Sequence, residues 1–298
     1  MLKFLFSVVF CFVCLSVIQA QDHNFEDGGI YYKYLDNANI KVVSAPNYYR
    51  GNITLPLQVS YKDVTYSVTA IGMRAFYKCK ELTSVVIPQS VTLIENGAFE
   101  NSGLKSVVIP KSVISIEEYA FIGCDSLISV TIPNSIVTIK FATFWGCRGL
   151  EFVAIPKSVT SIGAYSFKGC SSLKSIIIPN SVKLIMDGTF SECSSLESIT
   201  LSDSLESIRE STFEGCRELK SIVIPNSVVS IGNNAYNGCS GLTSVICSAS
   251  QPPRIDYSVF SGVNYKSCTL YVPARSIKRY KTAEGWKNFS IIKKINDI

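Results

Sequence analysis

Residues 104–124 read Leu-Lys-Ser-Val-Val-Ile-Pro-Lys-Ser-Val-Ile-Ser-Ile-Glu-Glu-Tyr-Ala-Phe-Ile-Gly-Cys, and the same phrase returns along most of the chain. Its opening leucine recurs at Leu82, Leu104, Leu127, Leu150, Leu173, Leu196, Leu219 and Leu242, a period of 23 residues with the first interval one residue short. Prolines follow at Pro88, Pro110, Pro133, Pro156, Pro179 and Pro225, with Ser202 as the one substitute, and an aromatic closes each unit from Phe76 to Tyr236. Self-similarity at such a period marks a solenoid, in which each unit packs only on its neighbours.

Each unit can be read physically. The run Val85-Val86-Ile87 is short, β-branched and bounded by proline, which predicts a strand. Alternation points Leu82, Val85 and Ile87 inward, and Ser84 and Val86 outward. The proline has no N–H, so it ends the ladder and starts the turn. Val91 and Ile94 supply the opposite wall, and periodicity alone leaves open whether they form a second strand. Residues 120–124 form a tight turn or a single helical turn that drops Phe121 and Cys124 into the core. One unit cannot cover its own apolar face. Stacking covers it, at roughly 25 cal/mol per Å² buried, with parallel strands about 4.8 Å apart.

The phrase Leu-x-x-Val-x-Ile-Pro-x-Ser-Val-x-x-Ile-Gly-x-x-Ala-Phe-x-x-Cys resembles the BspA-like leucine-rich repeats of surface and secreted proteins of Bacteroidetes, treponemes and trichomonads. The resemblance spans about residues 68–250. Gly29-Ile30-Tyr31-Tyr32 and Val64-Thr65-Tyr66-Ser67-Val68 look like the N-terminal cap of that group, and Leu270-Tyr271-Val272-Pro273 through Tyr280, Trp286 and Phe289 like its closing segment. The resemblance implies adhesion, including binding of host matrix or plasma proteins. It carries no residue-level binding motif.

The expected fold is a β-rich α/β solenoid: a leucine-rich-repeat coil with parallel strands, an N-terminal β-hairpin cap and a C-terminal strand-helix cap. Residues 1–20 form a signal peptide, 21–67 the first cap, 68–250 the repeats and 251–298 the second cap. Lys3 precedes an apolar run over residues 4–18, and Ala20 offers a small residue for cleavage before Gln21. The run is short for a membrane span and no other follows, so the mature chain is expected to be exported: secreted, surface-held or periplasmic. In the first cap, Asp36-Asn37 and Lys62-Asp63 are the turns of two hairpins laid on the first coil. In the second, Pro252-Pro253 breaks the repeat, Thr269–Val272 reads as a strand, and residues 274–283 as a short helix with Ile277 and Tyr280 on one face. Trp286 and Phe289 plug the last core layer or, alternatively, form a platform for sugar.

The net charge of +5, with 17% charged residues, lacks the basic stripe of a nucleic-acid binder. Arg275, Lys278, Arg279, Lys281, Lys287, Lys293 and Lys294 are the one basic cluster, read as a solvated face. Nine cysteines follow the signal, seven of them (Cys79, Cys124, Cys147, Cys170, Cys193, Cys216, Cys239) in one column. Parallel vectors one coil apart do not suit disulfide geometry, so buried thiols acting as small hydrophobes are expected. Cys247 and Cys268 stand outside the column, and a disulfide between them is left open. The column Ser90, Ser112, Ser135, Ser158, Ser181, Ser204 and Ser227 is expected to satisfy backbone groups at the turn. The lone histidine, His23, lies far from any nucleophile of the repeats, Glu117 and Glu118 diverge, and there is no metal-ligand spacing, so no catalytic, cofactor or metal site is expected.

Two outward columns remain as the candidate binding face. One holds Ser84, Ser106, Ser129, Phe152, Ser175, Ser198, Ser221 and Ser244. The other holds Val86, Val108, Thr131, Ala154, Ile177, Thr200, Val223 and Ile246. The face is nearly free of charge, and Phe152 is its one aromatic, the residue class enriched at interface anchors. A protein ligand on this face is the expected function. The alternative is a glycan-binding accessory protein of the bacterial envelope, for which Phe152, Phe141 and Trp145 are candidate platforms.

Overall fold

The structure is a computed structural model that describes residues 23–297; the signal peptide assigned to residues 1–20 lies outside them. Strands β1 (Phe25–Asp27), β2 (Ile30–Tyr34) and β3 (Asn39–Val42) form an antiparallel meander. Strands β5 (Gln58–Tyr61) and β6 (Val64–Ile71) form a hairpin that turns at Lys62 and Asp63, both at positive φ. Between them, β4 (Gly51–Thr54) pairs in parallel with the first repeat strand. The hairpins thus do not simply lie on the first coil. Asn52-Ile53-Thr54-Leu55-Pro56 is itself a repeat strand of the Ser-Val-x-Ile-Pro type, with the hairpin inserted before the coil resumes at the end of β6, where Ala70 and Ile71 pair with Leu93 and Ile94.

Every coil then alternates a longer and a two-residue strand. The pairs are β7 (Leu82–Val86) and β8 (Leu93–Ile94), β9 (Ser106–Val108) and β10 (Ser115–Ile116), and β11 (Ser129–Thr131) and β12 (Thr138–Ile139). They continue as β13 (Phe152–Ala154) and β14 (Ser161–Ile162), β15 (Ser175–Ile177) and β16 (Leu184–Ile185), and β17 (Ser198–Thr200) and β18 (Ser207–Ile208). Last come β19 (Ser221–Ile224) and β20 (Ser230–Ile231), then β21 (Ser244–Cys247). The opposite wall is therefore a second strand, the point that periodicity left open. The wall between Ile116 and Cys124 folds as turns, not helix.

Three ladders run along the coils, two of them in blocks. The longer strands form blocks β4–β13, β15–β17 and β19–β23, and the short strands β6–β10, β12–β16 and β18–β20. On the third edge, the N–H of each stacked aromatic donates to a carbonyl of the following coil: Phe99 to Ala120, Phe121 to Thr143, Phe167 to Thr189 and Phe213 to Ala235, all at 2.7–3.0 Å.

This third ladder fixes the core. From Phe76 through Phe99, Phe121, Phe144, Phe167, Phe190, Phe213 and Tyr236 to Phe260, successive rings stack at 5.0–5.7 Å with interplanar angles of 3–15°. Tyr49 starts the row against Phe76 at 4.9 Å, and Trp286 and Phe289 end it edge-on against Phe260. Phe260 extends the stack past Pro252-Pro253, so the segment read as the closing cap begins with one more coil. The short interval between Leu82 and Leu104 is a one-residue contraction at Gly103, where a Cβ would sit 1.9 Å from the Lys80 carbonyl oxygen and only glycine fits.

The last coil follows the same grammar. Strand β22 (Thr269–Val272) continues the sheet, and a helical turn at Ala274–Ser276 runs into α1 (Ile277–Thr282), which buries Tyr280. A further turn at Trp286–Asn288 buries Trp286, whose indole N–H donates to the Pro253 carbonyl at 2.8 Å. Strand β23 (Ile291–Lys294), absent from the sequence reading, closes the sheet. Its register sets exposed Lys294 beside buried Val272, so a charge occupies the next core column and opposes stacking of a further coil.

Candidate functional site

Register places the outward residues in straight columns. Ser84, Ser106, Ser129 and Phe152 lie side by side across β7, β9, β11 and β13, as do Val86, Val108, Thr131 and Ala154. Ser175 and Ile177 pair with Ser198 and Thr200, and Ser221 and Val223 with Ser244 and Ile246. The columns extend beyond the residues chosen from sequence, to Asn52 and Thr54 at one end and to Thr269, Tyr271, Ile291 and Lys293 at the other. Exposure is high at Val86 (57%), Val108 (77%), Phe152 (58%) and Ile177 (70%). Apolar side chains held outward on a rigid sheet lose little further entropy on contact, which favours binding.

Two hollows mark this face. One, of about 280 Å³, lies along Ser84, Val86, Ser106 and Val108 and is floored by Pro110. A larger one, of about 480 Å³, lies between β13 and β15 and is lined by Phe152, Ala154, Ile155, Ser175, Ile177 and Lys157. It coincides with an interruption of the main ladder, where β13 and β15 do not pair. Val153 and Ile155 are half-buried there, whereas their counterparts Val130 and Ile132 are buried.

The other sequence columns are structural. Six thiols from Cys124 to Cys239 each donate to the carbonyl of the aromatic one coil back, Cys124 to Phe99 and Cys147 to Phe121 among them, at 3.0–3.3 Å. Ser102 takes the column place that the short unit leaves without a cysteine and lies 3.4 Å from the Cys124 sulfur. Burial pushes the thiols of Cys124, Cys193 and Cys239 up to about 12 and raises Cys147, Cys170 and Cys216 well above the ordinary value. All nine described cysteines are free and buried. Cys247 accepts a hydrogen bond from the Tyr280 hydroxyl at 3.1 Å, and Cys268 lies beside Thr243. The β21–β22 register separates this pair by four residues, roughly 13 Å along the strands, beyond the reach of the bridge left open between them. Treatment of the folded protein with an aromatic disulfide reagent at neutral pH should label none of the nine within minutes, and all nine in denaturant; rapid native labelling of a column cysteine would contradict this burial.

Five column serines donate to carbonyls of the preceding coil at 2.5–2.9 Å: Ser90 to Val68, Ser112 to Val91, Ser135 to Val113, Ser158 to Ile136 and Ser204 to Asn180. Ser181 and Ser227 have no such partner among the described residues. His23 packs edge-on against Tyr31 in the first cap. Glu117 is half-buried, and this burial is outweighed by hydrogen bonds from Lys140 and Ser115, which hold its carboxyl below the usual range, while Glu118 is exposed.

A second surface was only half visible in the sequence. On the aromatic turn edge, Phe141 meets Tyr119 at 5.3 Å and Tyr165 at 5.8 Å, both edge-on. Trp145 lies 5.9 Å from Tyr165, and the Lys168 ammonium stands 5.7 Å and 5.8 Å from those two rings. Trp286 and Phe289, the alternative sugar platform, are buried.

A family model described as a BspA type leucine rich repeat region matches six copies, over residues 58–174 and 160–281. Among solved structures, a leucine-rich repeat protein from Bacteroides ovatus ATCC 8483 is 24% identical, with a TM-score of 0.56 over 93% of this chain and 78% of its own. The leucine-rich repeat protein of T. pallidum is 26% identical, with a TM-score of 0.52 over 73% of this chain and 90% of its own. No curated protein matches the chain.

Proposed function

Because the chain belongs to the BspA-type leucine-rich repeat family, we propose that it is an exported protein-binding module whose ligand, a host matrix or plasma protein or another envelope protein, lies across the longer-strand face. The observation that carries this reading is the combination on one rigid face of exposed Val86, Val108, Phe152 and Ile177 with two hollows and almost no charge. Small hydroxyl side chains between these anchors let a partner approach closely and exclude water, as interface cores require. Export rests on residues 1–20. Glu117, the thiols of the column and the single histidine have the structural surroundings described above, and the reading is of a binder, not an enzyme.

The test is a binding screen of the chain from Gln21 onward against matrix and plasma proteins, followed by variants borrowed from the protein's own columns. Phe152→Ser restores the serine of neighbouring coils, and Ile177→Thr copies Thr131 and Thr200, so both keep the fold. Each is expected to weaken a saturable ligand at least about tenfold, equivalent to 1.4 kcal/mol. Unchanged affinity in the double variant would remove this face from consideration.

The aromatic edge favours a second reading, as a glycan binder. Trp145, Tyr165 and Phe141 offer ring faces and edges beside a cation, the kind of surface on which sugar C–H groups stack. Glycan-array signals abolished by Trp145→Ala but untouched by Phe152→Ser would promote it.

A further inference from the structure

We propose that the C-terminal end of the solenoid is an electrostatic docking surface for an anionic phospholipid bilayer, holding the rod end-on with its strand face free. Charge along the chain is strongly polarised. Residues 251–298 carry nine Lys and Arg against three Asp and Glu, a net +6, in a chain whose total is +5. The last coil concentrates it: within residues 273–294, Glu284 is the one carboxylate among seven cations.

The fold puts these cations at the end of the rod. Tyr280, Trp286 and Phe289 point into the stack and are buried, while Lys278, Arg279 and Lys281 of α1 are exposed. Lys287 is exposed on the following turn, and Lys293 and Lys294 on the outermost strand. Along the body of the rod, several cations are paired with carboxylates of the neighbouring coil, as in Lys140 with Glu117, Lys168 with Glu192 and Arg209 with Asp187, while others such as Lys105, Lys111 and Lys183 are scattered singly. At the end, among the described residues, only Lys287 forms an ion pair, with Glu284. Blocking edge-to-edge stacking is the task of charges on the edge strand itself, which Lys293 and Lys294 supply. The cations of α1 and its flanking turns exceed that need.

The shape of the patch selects the partner. The charges come from a helix, a turn and a strand of one coil, a broad spread, whereas the hollows described above lie on the side of the rod. A linear polyanion is gripped best by a groove, whereas a spread of cations matches a plane of headgroups. Tyr257 borders this coil, since Ile255 packs against Gly285, and at 87% it is the most exposed large hydrophobic side chain among the described residues. Tyrosine is favoured at the headgroup level of a membrane. No helix among the described residues is long and apolar enough to cross a membrane, so attachment by this end would be peripheral, reversible and salt-dependent.

The full chain from Gln21 onward would be sedimented with vesicles of phosphatidylcholine, with and without phosphatidylglycerol, and applied to immobilised heparin as a polyanion without a surface. Binding to the anionic vesicles alone, released by salt, is expected. Lys278→Glu, Lys281→Glu and Lys293→Glu combined should lower partitioning more than about a hundredfold, since each cation near an anionic surface contributes roughly fivefold. Reversing three exposed lysines of the body, Lys105, Lys111 and Lys183, keeps the net charge of the two variants equal and should leave most of the binding. Circular dichroism of both variants checks the fold. Absence of binding to anionic vesicles, equal loss in the body variant, or binding to heparin without binding to vesicles would each overturn the proposal. None of these outcomes bears on the strand face, whose ligand screen uses no lipid.

Discussion

Raising the pH from 9 to 11 under reducing conditions should unfold this protein in one steep transition. Six thiols, Cys124, Cys147, Cys170, Cys193, Cys216 and Cys239, are fully buried, and burial raises all of them, three to about 12. In the unfolded chain a cysteine ionises near about 8.5. Between these values the folded state holds protons that the unfolded state has lost, so stability is intact below the unfolded pKa and falls as pH rises toward the folded one. Each such thiol removes about 1.4 kcal/mol per pH unit, and six together about 8 kcal/mol per unit. A total stability of roughly 5–15 kcal/mol would be exhausted within about two units. Far-UV circular dichroism against pH measures this directly. Replacing Cys147 and Cys193 by alanine should make the transition less steep, because two of the linked protons are gone; an equally steep transition in that variant would show that other groups drive it.

Phe167→Ala should cost about 3–5 kcal/mol, the range for deleting a buried aromatic. The ring lies between Phe144 at 5.4 Å and Phe190 at 5.6 Å and is fully buried. The loss also falls on coupling between coils. In a stack where each unit is stabilised by its neighbours, removing a central ring weakens two junctions at once. Thermal unfolding followed by calorimetry should show a drop of roughly 10 °C, at about 2–4 °C per kcal/mol for a chain of this size, and a broadened transition as the two flanking segments uncouple. Phe167→Leu, which keeps most of the volume, should recover over half of the loss. A cost below about 1 kcal/mol for the alanine variant would mean that the side walls, not the ring row, hold the coils together.

The repeat was legible because its physical requirements recur at fixed spacing: a leucine and alternating aliphatics for the strand, a proline to end it, an aromatic and a thiol for the turn. Columns followed directly, including the outward residues from Ser84 to Val223. What escaped was what interrupts the spacing. Asn52-Ile53-Thr54-Leu55-Pro56 has the strand pattern, but the inserted hairpin of β5 and β6 separates it from its own coil. Phe260 has its glycine two residues on, as in other units, but Pro252-Pro253 suggested that the repeat had ended. The aromatic edge was hidden for another reason. Tyr119 and Tyr165 stand two residues before the stacked phenylalanine, Phe141 three before and Trp145 one after, so no single column reveals that they meet. The hollow beside Phe152 coincides with a missing pairing between two strands whose sequences are as strand-like as their neighbours.

The interrupted ladders have a consequence for how the rod carries load. The longer-strand side is open between β13 and β15 and between β17 and β19, and the short-strand side between β10 and β12 and between β16 and β18. No junction is open on both sides, and the aromatic turn edge crosses them all. The joints are staggered like those of a bonded brick wall, so no single plane offers a path for cracking. A force that pries open one side meets an intact course on another.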